Sequence, residues 1–508
     1  MLRSARPSVR RTARLVPPLL ACALVAAVPH AAASPSPGGR AAAGDAQPGA
    51  SGVRDGRDGW VLSSKKIDPD DSYHAYVGNG YLGQRVAPTG TGYAASGEKT
   101  GWPLMTPRYD GSFVAGLYGH NQKTAENRQA IAAIPTWSTL NVATGGESGE
   151  TFSSGTPAGR ISHYKQSLHL RKGVVRTSLT WTAADGRATD LTYDVLADRN
   201  NPHSGAVRLS MTPRWSGTSH VTDVLDGRGA RRVSQTGGGA RPDSAARPGD
   251  QTMDVAFRTH GTKTDGAVAS TLRPGPGVRT EDERKAGPAR KLTAKQGVSF
   301  RAQRGKTYEF TKYVGVDTAR TADAPERSAL AASRQAAQRG WDTTYAAHTA
   351  AWQRLWRSDI QVNGRPQLQK WLRSAKYGLL TSSRRGGDDS IAPAGLSSDN
   401  YAGLVFWDAE TWMFPSLLAG NPDLAKSVLD YRYRTREGAR TNARKLGYDG
   451  LFYSWTSGSD GDLKKECHSV DPPHCRTQNH LQSDISLATW QYYLATDDTA
   501  WLRERGWP

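Results

Sequence analysis

The residues best placed to do chemistry fall in one short stretch, 404–415, where Asp408 and Glu410 sit between Trp407 and Trp412 ahead of Pro415. Two carboxylates flanked by indoles suit a sugar, because C–H faces stack on aromatic rings while hydroxyls donate to carboxylate oxygens. A carboxyl pair can also cleave a glycosidic bond, one member protonating the leaving oxygen and the other activating water or attacking carbon. Residues two apart lie on roughly opposite faces of a helix, so Asp408 and Glu410 are poorly spaced to flank one bond. An acceptor of sugar hydroxyls is therefore the economical role for Asp408. The competing structural reading is a buried, aromatic-rich helix start.

Three further clusters follow. Residues 448–462 interleave aromatic, glycine and acidic residues on what must be a loop. Asp460-Gly461-Asp462 resembles part of a calcium loop, but the other ligand positions are missing, which favours a plain turn. Residues 478–484 bring Gln478, Asn479, His480 and Gln482 up to a helix start, with Ser483 or Asp484 as the expected cap. Cys467 and Cys475 enclose a proline-stiffened loop, and a disulfide between them is expected in an oxidising compartment. His468 and His474 could make this a metal site, but the spacing matches no zinc signature. Neither a metal nor a cofactor is expected.

The elements that position these clusters change character along the chain. The first residues carry Arg3, Arg6, Arg10, Arg11 and Arg14, then an apolar run from Leu15 to Val28 and small residues at 31–33. This is the pattern of an export signal over 1–33, and residues 34–58 form a flexible Pro/Gly/Ala/Ser leader. Arg10-Arg11 hints at twin-arginine export, though its flanks fit poorly. No later stretch approaches the ~18 apolar residues of a membrane span. Without 1–33, which hold five arginines and no acids, the formal charge drops from +19 to +14. The remaining excess is scattered, so nucleic acid and membrane are not expected partners.

From 59 to 320 short β-branched segments recur between turn residues: 174–181, 190–196, 206–211, 252–257 and 308–316. This predicts a large antiparallel sandwich, with the Gly-rich segments 225–250 and 273–290 as surface insertions. Residues 321–365 read as a helical linker, with His348 on its apolar face as a core or boundary residue. From 366 to 508 the pattern is helical. Leu368, Trp371, Leu372, Ala375 and Leu379 predict one apolar face. Asn421-Pro422 marks a helix start, with Gly438 and Gly447 as candidate stops, and Ser483–Leu494 is a further helix. The expected fold class is multidomain β + α.

At residue level, Phe406-Trp407-Asp408-Ala409-Glu410 resembles the Phe-Trp-Asp-Thr-Glu motif of glycoside hydrolase family 65. This family contains acid trehalases, related glucosidases and disaccharide phosphorylases. The resemblance continues in Gly78–Gly83, Val114–Tyr118, Tyr431–Arg434, Ala439–Ala443 and His480–Tyr493, over roughly residues 60–508. It implies an N-terminal β-super-sandwich, a helical linker and an (α/α)6 barrel, of which 366–508 is the first part. It also implies that Trp407 and Asp408 hold the non-reducing glucose. The family's general acid is a glutamate in a Pro-Asp-Glu-Tyr-like motif that does not occur in this chain, so the acid is expected beyond Pro508. Trp455-Thr456-Ser457 stands where many members have Trp-Glu-Ser, and Gln478 where many have Glu. The expectation is a secreted inverting glycosidase acting on a small α-glucoside, trehalose first. A non-catalytic carbohydrate-binding remnant and a disaccharide phosphorylase are the alternatives.

Overall fold

The computed structural model describes residues 59–67, 75–93, 111–120, 128–242, 247, 249–284, 287–467 and 473–507. The export signal and leader expected over 1–58 lie outside the described residues, as does His468.

The first part is built on a nine-stranded antiparallel sheet. Its central ladder pairs Val174–Thr182, Ala188–Ala197, Ser204–Pro213 and Tyr308–Thr318. A five-stranded sheet around Gly217–Asp226 and a four-stranded sheet over residues 76–134 complete the described β-structure. Period-two alternation decides which side chains go inside. Leu191, Tyr193 and Val195 enter one continuous core with Trp137, Val221, Phe300 and Phe310 from neighbouring strands. Their neighbours Thr192 and Asp194 face the other way.

The two Gly-rich stretches are not simple insertions. Val233–Ala240 is the edge strand of the large sheet, and Thr280–Arg284 pairs with Ala294–Ala302. Ladder bonds come from backbone groups, so a strand can form with glycines at 237, 238 and 239 where composition suggests a loop.

Two helices, Pro325–Arg339 and Trp341–Leu355, cover the outer face of the nine-stranded sheet. The break between them is Gly340, whose φ of 80° lies in the left-handed region that glycine adopts without a Cβ clash. His348 is fully buried and accepts a hydrogen bond from the Arg199 amide at Nδ1 (3.0 Å); burial lowers its pKa to about 4.

The helical part begins with Pro366–Ser382, and its buried face differs from the predicted one. Leu368 and Trp371 are exposed, at 43% and 63%, and the buried positions are Gln369, Arg373, Tyr377 and Leu380. The Arg373 guanidinium lies 3.7 Å from the centre of the Trp60 ring and pairs with Asp359, while Tyr377 donates to the Tyr76 carbonyl. Polar side chains with partners tolerate burial, and an apolar periodicity cannot register those partners. Helix Pro422–Arg434 starts after Asn421, whose side chain makes no capping bond. Gly447 closes the next helix, Arg436–Leu446, in a left-handed C-cap. Gly438 is no stop. It lies inside this second helix, where a Cβ would fall 2.1 Å from the Asp460 carbonyl oxygen. The last long helix is His480–Thr496, one turn earlier than expected, and neither Ser483 nor Asp484 caps it.

Candidate active site

Three consecutive left-handed residues lead into the motif: Tyr401, Ala402 and Gly403, with φ of 55°, 58° and 62°. Left-handed conformations at non-glycine residues cost on the order of 1 kcal/mol or more and persist only where surrounding contacts hold them. Here the Tyr118 hydroxyl, from the small sheet, donates to the Gly403 carbonyl at 2.9 Å. Val405 then exchanges two backbone hydrogen bonds with Ser457 (2.9 and 3.0 Å), tying the motif to the 448–462 loop. Phe406 is buried edge-on against Trp455, with ring centres 5.2 Å apart.

The two carboxylates part company at this point. Residues 409–413 form one turn of π-helix, a wider turn than an α-helix. Glu410 points inward and is almost fully buried, at 2% exposure. It accepts from Arg432 Nε at 2.8 Å and Nη2 at 3.0 Å, a bidentate pair on helix Pro422–Arg434. Arg432 also donates to Ser457 Oγ at 3.3 Å. Burial pulls the guanidinium pKa down, but the charge and hydrogen bonds of Glu410 outweigh it and the net direction is up. The bidentate pair therefore keeps the guanidinium charged and pins the motif to its supporting helix. Asp408 is only half-buried, and among the described residues no hydrogen bond or ion pair engages its carboxylate. Trp407 stands beside it, half-buried, 5.0 Å from Trp412 and 4.7 Å edge-on from His480 by ring centres.

The 478–484 cluster supports this wall. His480 Nδ1 lies 2.7 Å from Asp484 Oδ2, and Nε2 lies 3.0 Å from Gln478 Oε1. The imidazole is thus held at both ends with its ring against Trp407. Gln482 clamps the loop by accepting from the Tyr453 amide (2.9 Å) and donating to its carbonyl (2.8 Å). Arg432, His480 and Gln482 are the residues that sequence reasoning left without a role. The available signal was polar residues spaced to face the Trp-Asp turn from two different helices.

In the 448–462 loop, Asp462 accepts from the amides of Lys464 and Lys465 as a helix cap. Glu466 accepts from the amides of Gly458, Asp460 and Gly461 at 2.6–2.7 Å; burial pushes its carboxyl up to about 7 against those donors. Thr456 is buried and donates to the Glu466 carbonyl (3.1 Å). Cys467 and Cys475 form a disulfide. No group of three or more potential metal ligands occurs among the described residues. The arrangement can therefore offer a polar ligand one open carboxylate beside an indole wall, on a turn whose other carboxylate is paired with Arg432.

A sandwich joined through a helical linker to a helical domain bearing this turn defines a glycoside hydrolase architecture. Residues 64–355 match the family described as glycosyl hydrolase family 65, N-terminal domain, and residues 375–508 its central catalytic domain. The chain belongs to this family. It is 29% identical over 458 residues to a kojibiose hydrolase of Flavobacterium johnsoniae, covering 89% of this chain and 61% of the relative. It is also 29% identical over 467 residues to a cell wall acid trehalase of Candida albicans, covering 84% and 41% respectively. The chain thus spans about half the length of these relatives. A solved structure from the human microbiome, assigned as a kojibiose phosphorylase, superposes with a TM-score of 0.71 at 16% identity, over 89% of this chain and 58% of that one. The shared fold is the sandwich, linker and helical domain.

Proposed function

We propose that the protein is a secreted, inverting glycosidase acting on a small α-glucoside, with trehalose and then kojibiose as the first substrates to test. The observation that carries this reading is Asp408: a half-buried carboxylate without a partner among the described residues, beside Trp407 and on a turn whose other acid is paired with Arg432. Leaving a partly buried charge unpaired is unfavourable unless a ligand completes it. Glucose does so, its hydroxyls donating to Asp408 while its apolar face meets Trp407. The relatives named as hydrolases of trehalose and kojibiose support this substrate class.

In this reading residues 1–33 direct export, 59–320 form the sandwich, 321–365 the linker and 366–508 the first part of the catalytic barrel. Export favours water over phosphate as the acceptor, because a sugar phosphate made outside the cell is stranded there. Among the described residues, no helix is long and apolar enough to cross a membrane. Inversion means that water attacks the anomeric carbon opposite the leaving group, between carboxyls ~6.5–9.5 Å apart. Asp408 holds the sugar in this scheme, and no residue of the chain is assigned as the acid.

The test is to incubate purified protein carrying the whole catalytic barrel, of which 366–508 is the first part, with trehalose and kojibiose, with and without phosphate, and follow products by proton NMR. Phosphate-independent release of β-glucose is expected, together with a large fall in kcat/KM for Asp408→Asn. Glucose 1-phosphate formed only with phosphate present would replace the hydrolase by a phosphorylase, and sugar binding without turnover would leave a carbohydrate-binding protein.

A further inference from the structure

The outer face of the nine-stranded sheet carries a feature that the Trp407–Asp408 site does not use. Strand register places its outward side chains in two parallel rows. Ser178, Thr192, Ser210 and Glu309 are successive cross-strand neighbours in one row, and Arg176, Asp194, Arg208 and Thr311 in the next. The first row is mainly hydroxyls, and the Ser178 and Thr192 hydroxyls lie 3.2 Å apart. The second alternates in charge: Asp194 receives two hydrogen bonds of 2.7 Å from Arg176 and faces Arg208 on the next strand. Adjacent strands lie about 4.8 Å apart, so the rows form a regular polar grid.

Helix Trp341–Leu355 builds a wall along this grid. Trp341 and Tyr345 stack with centres 5.7 Å apart, and Arg208 lies over the Trp341 ring at 5.5 Å. Wall and grid enclose a groove of about 440 Å³ lined by both rings. That volume falls within the usual range for a small-ligand site. Both guanidiniums at the groove are balanced by carboxylates, Arg176 by Asp194 and Arg208 by Glu309 of the first row, with Asp342 3.8 Å from Arg208. Neither an anion nor a cation is selected by a balanced set, whereas a neutral ligand rich in hydroxyls finds donors, acceptors and an aromatic edge together.

We propose that this groove is a second saccharide-binding site, taking a neutral oligosaccharide on the sandwich away from the Trp407–Asp408 turn. The choice of a glucose oligomer rests on the α-glucoside reading; the groove itself does not. The test is isothermal titration of the full chain with maltoheptaose, cellohexaose and laminarihexaose. Binding of at least one oligomer is expected in the Asp408→Asn background, which takes the Trp407–Asp408 site out of the readout, and is weakened tenfold or more there by Trp341→Ala and by Thr192→Arg. Thr192→Arg fills the groove without removing the packing of Trp341, so it keeps the test decisive if Trp341→Ala unfolds. Maltoheptaose binding supports the whole proposal, and binding of another oligomer alone supports the groove while counting against the α-glucoside reading. No binding, binding unaffected by both groove variants, or binding of the natural protein already lost in Asp408→Asn would overturn the second site.

Discussion

Two buried ion pairs, one in the sandwich and one in the helical domain, show how differently this molecule uses interior charge. Lys312 and Asp223 are fully buried between two sheets, 2.7 Å apart. Lys312 also donates to the carbonyls of Val224 (2.8 Å) and Thr139 (3.3 Å), while Asp223 accepts from Ser270 and Gln296. Burial lowers the lysine pKa more than Asp223 restores it. In Glu410–Arg432 the balance goes the other way, because a planar guanidinium meets the carboxylate with two parallel bonds and stays charged. The sandwich pair connects strands that already share a large apolar core. The helical pair orients a single turn, and the carboxylate left open on that turn is the one available to a ligand.

Breaking the helical pair is expected to have the largest effect. Arg432→Ala strands Glu410 without its counter-charge and should destabilise the protein by about 3–5 kcal/mol in urea unfolding. Replacing both partners, as in Glu410→Leu with Arg432→Met, should recover much of that loss in stability without restoring sugar binding, since the turn is no longer oriented. A double variant that still bound sugar would remove the orienting role. Lys312→Met should cost somewhat less, about 3 kcal/mol, because Ser270 and Gln296 still serve Asp223. Sugar binding at the Trp407–Asp408 turn should survive it, and parallel loss of binding would erase the contrast between the two pairs.

Next in size is a pH effect centred on Glu466, in the loop beside the site. The folded protein holds the Glu466 proton up to about pH 7, against 4.5 for the free group. Between those values the folded state binds more protons than the unfolded one, so stability falls as pH rises, by roughly 3 kcal/mol at ~1.4 kcal/mol per unit. Asp198, raised to about 6 by burial, acts in the same direction at lower pH; His348, lowered to about 4, opposes both as pH rises toward 6.5. Thermal melts from pH 4.5 to 7.5 should show a shallower decline for Glu466→Gln than for the natural protein, and equal slopes would refute this origin. Gly438→Ala should cost about 1–3 kcal/mol, because its Cβ drives the Asp460 carbonyl out of place. The smallest effect on stability belongs to Asp408→Asn, within about 0.5 kcal/mol. The same variant should lose most of its sugar affinity, and a large change in its melting temperature would mean that Asp408 has a structural partner after all.

The contrast also divides what the sequence determined from what only the tertiary structure decided. Short β-branched segments between turn residues located the sandwich strands, because β-branched side chains fit a pleated, half-buried surface and turn residues end it. The run of aromatics around Asp408 marked the turn that the family match then covered. Sequence reading failed where a partner comes from elsewhere in the chain. Glu410 and Arg432 lie twenty-two residues apart, and only the packing of the π-helical turn on helix Pro422–Arg434 separates the paired carboxylate from the open one. The exposed Leu368 and Trp371, the buried Arg373 and the glycine strand at 237–239 have the same cause. Periodicity reports an average preference for burial, whereas a hydrogen bond, an ion pair or a close backbone approach depends on what the fold brings alongside.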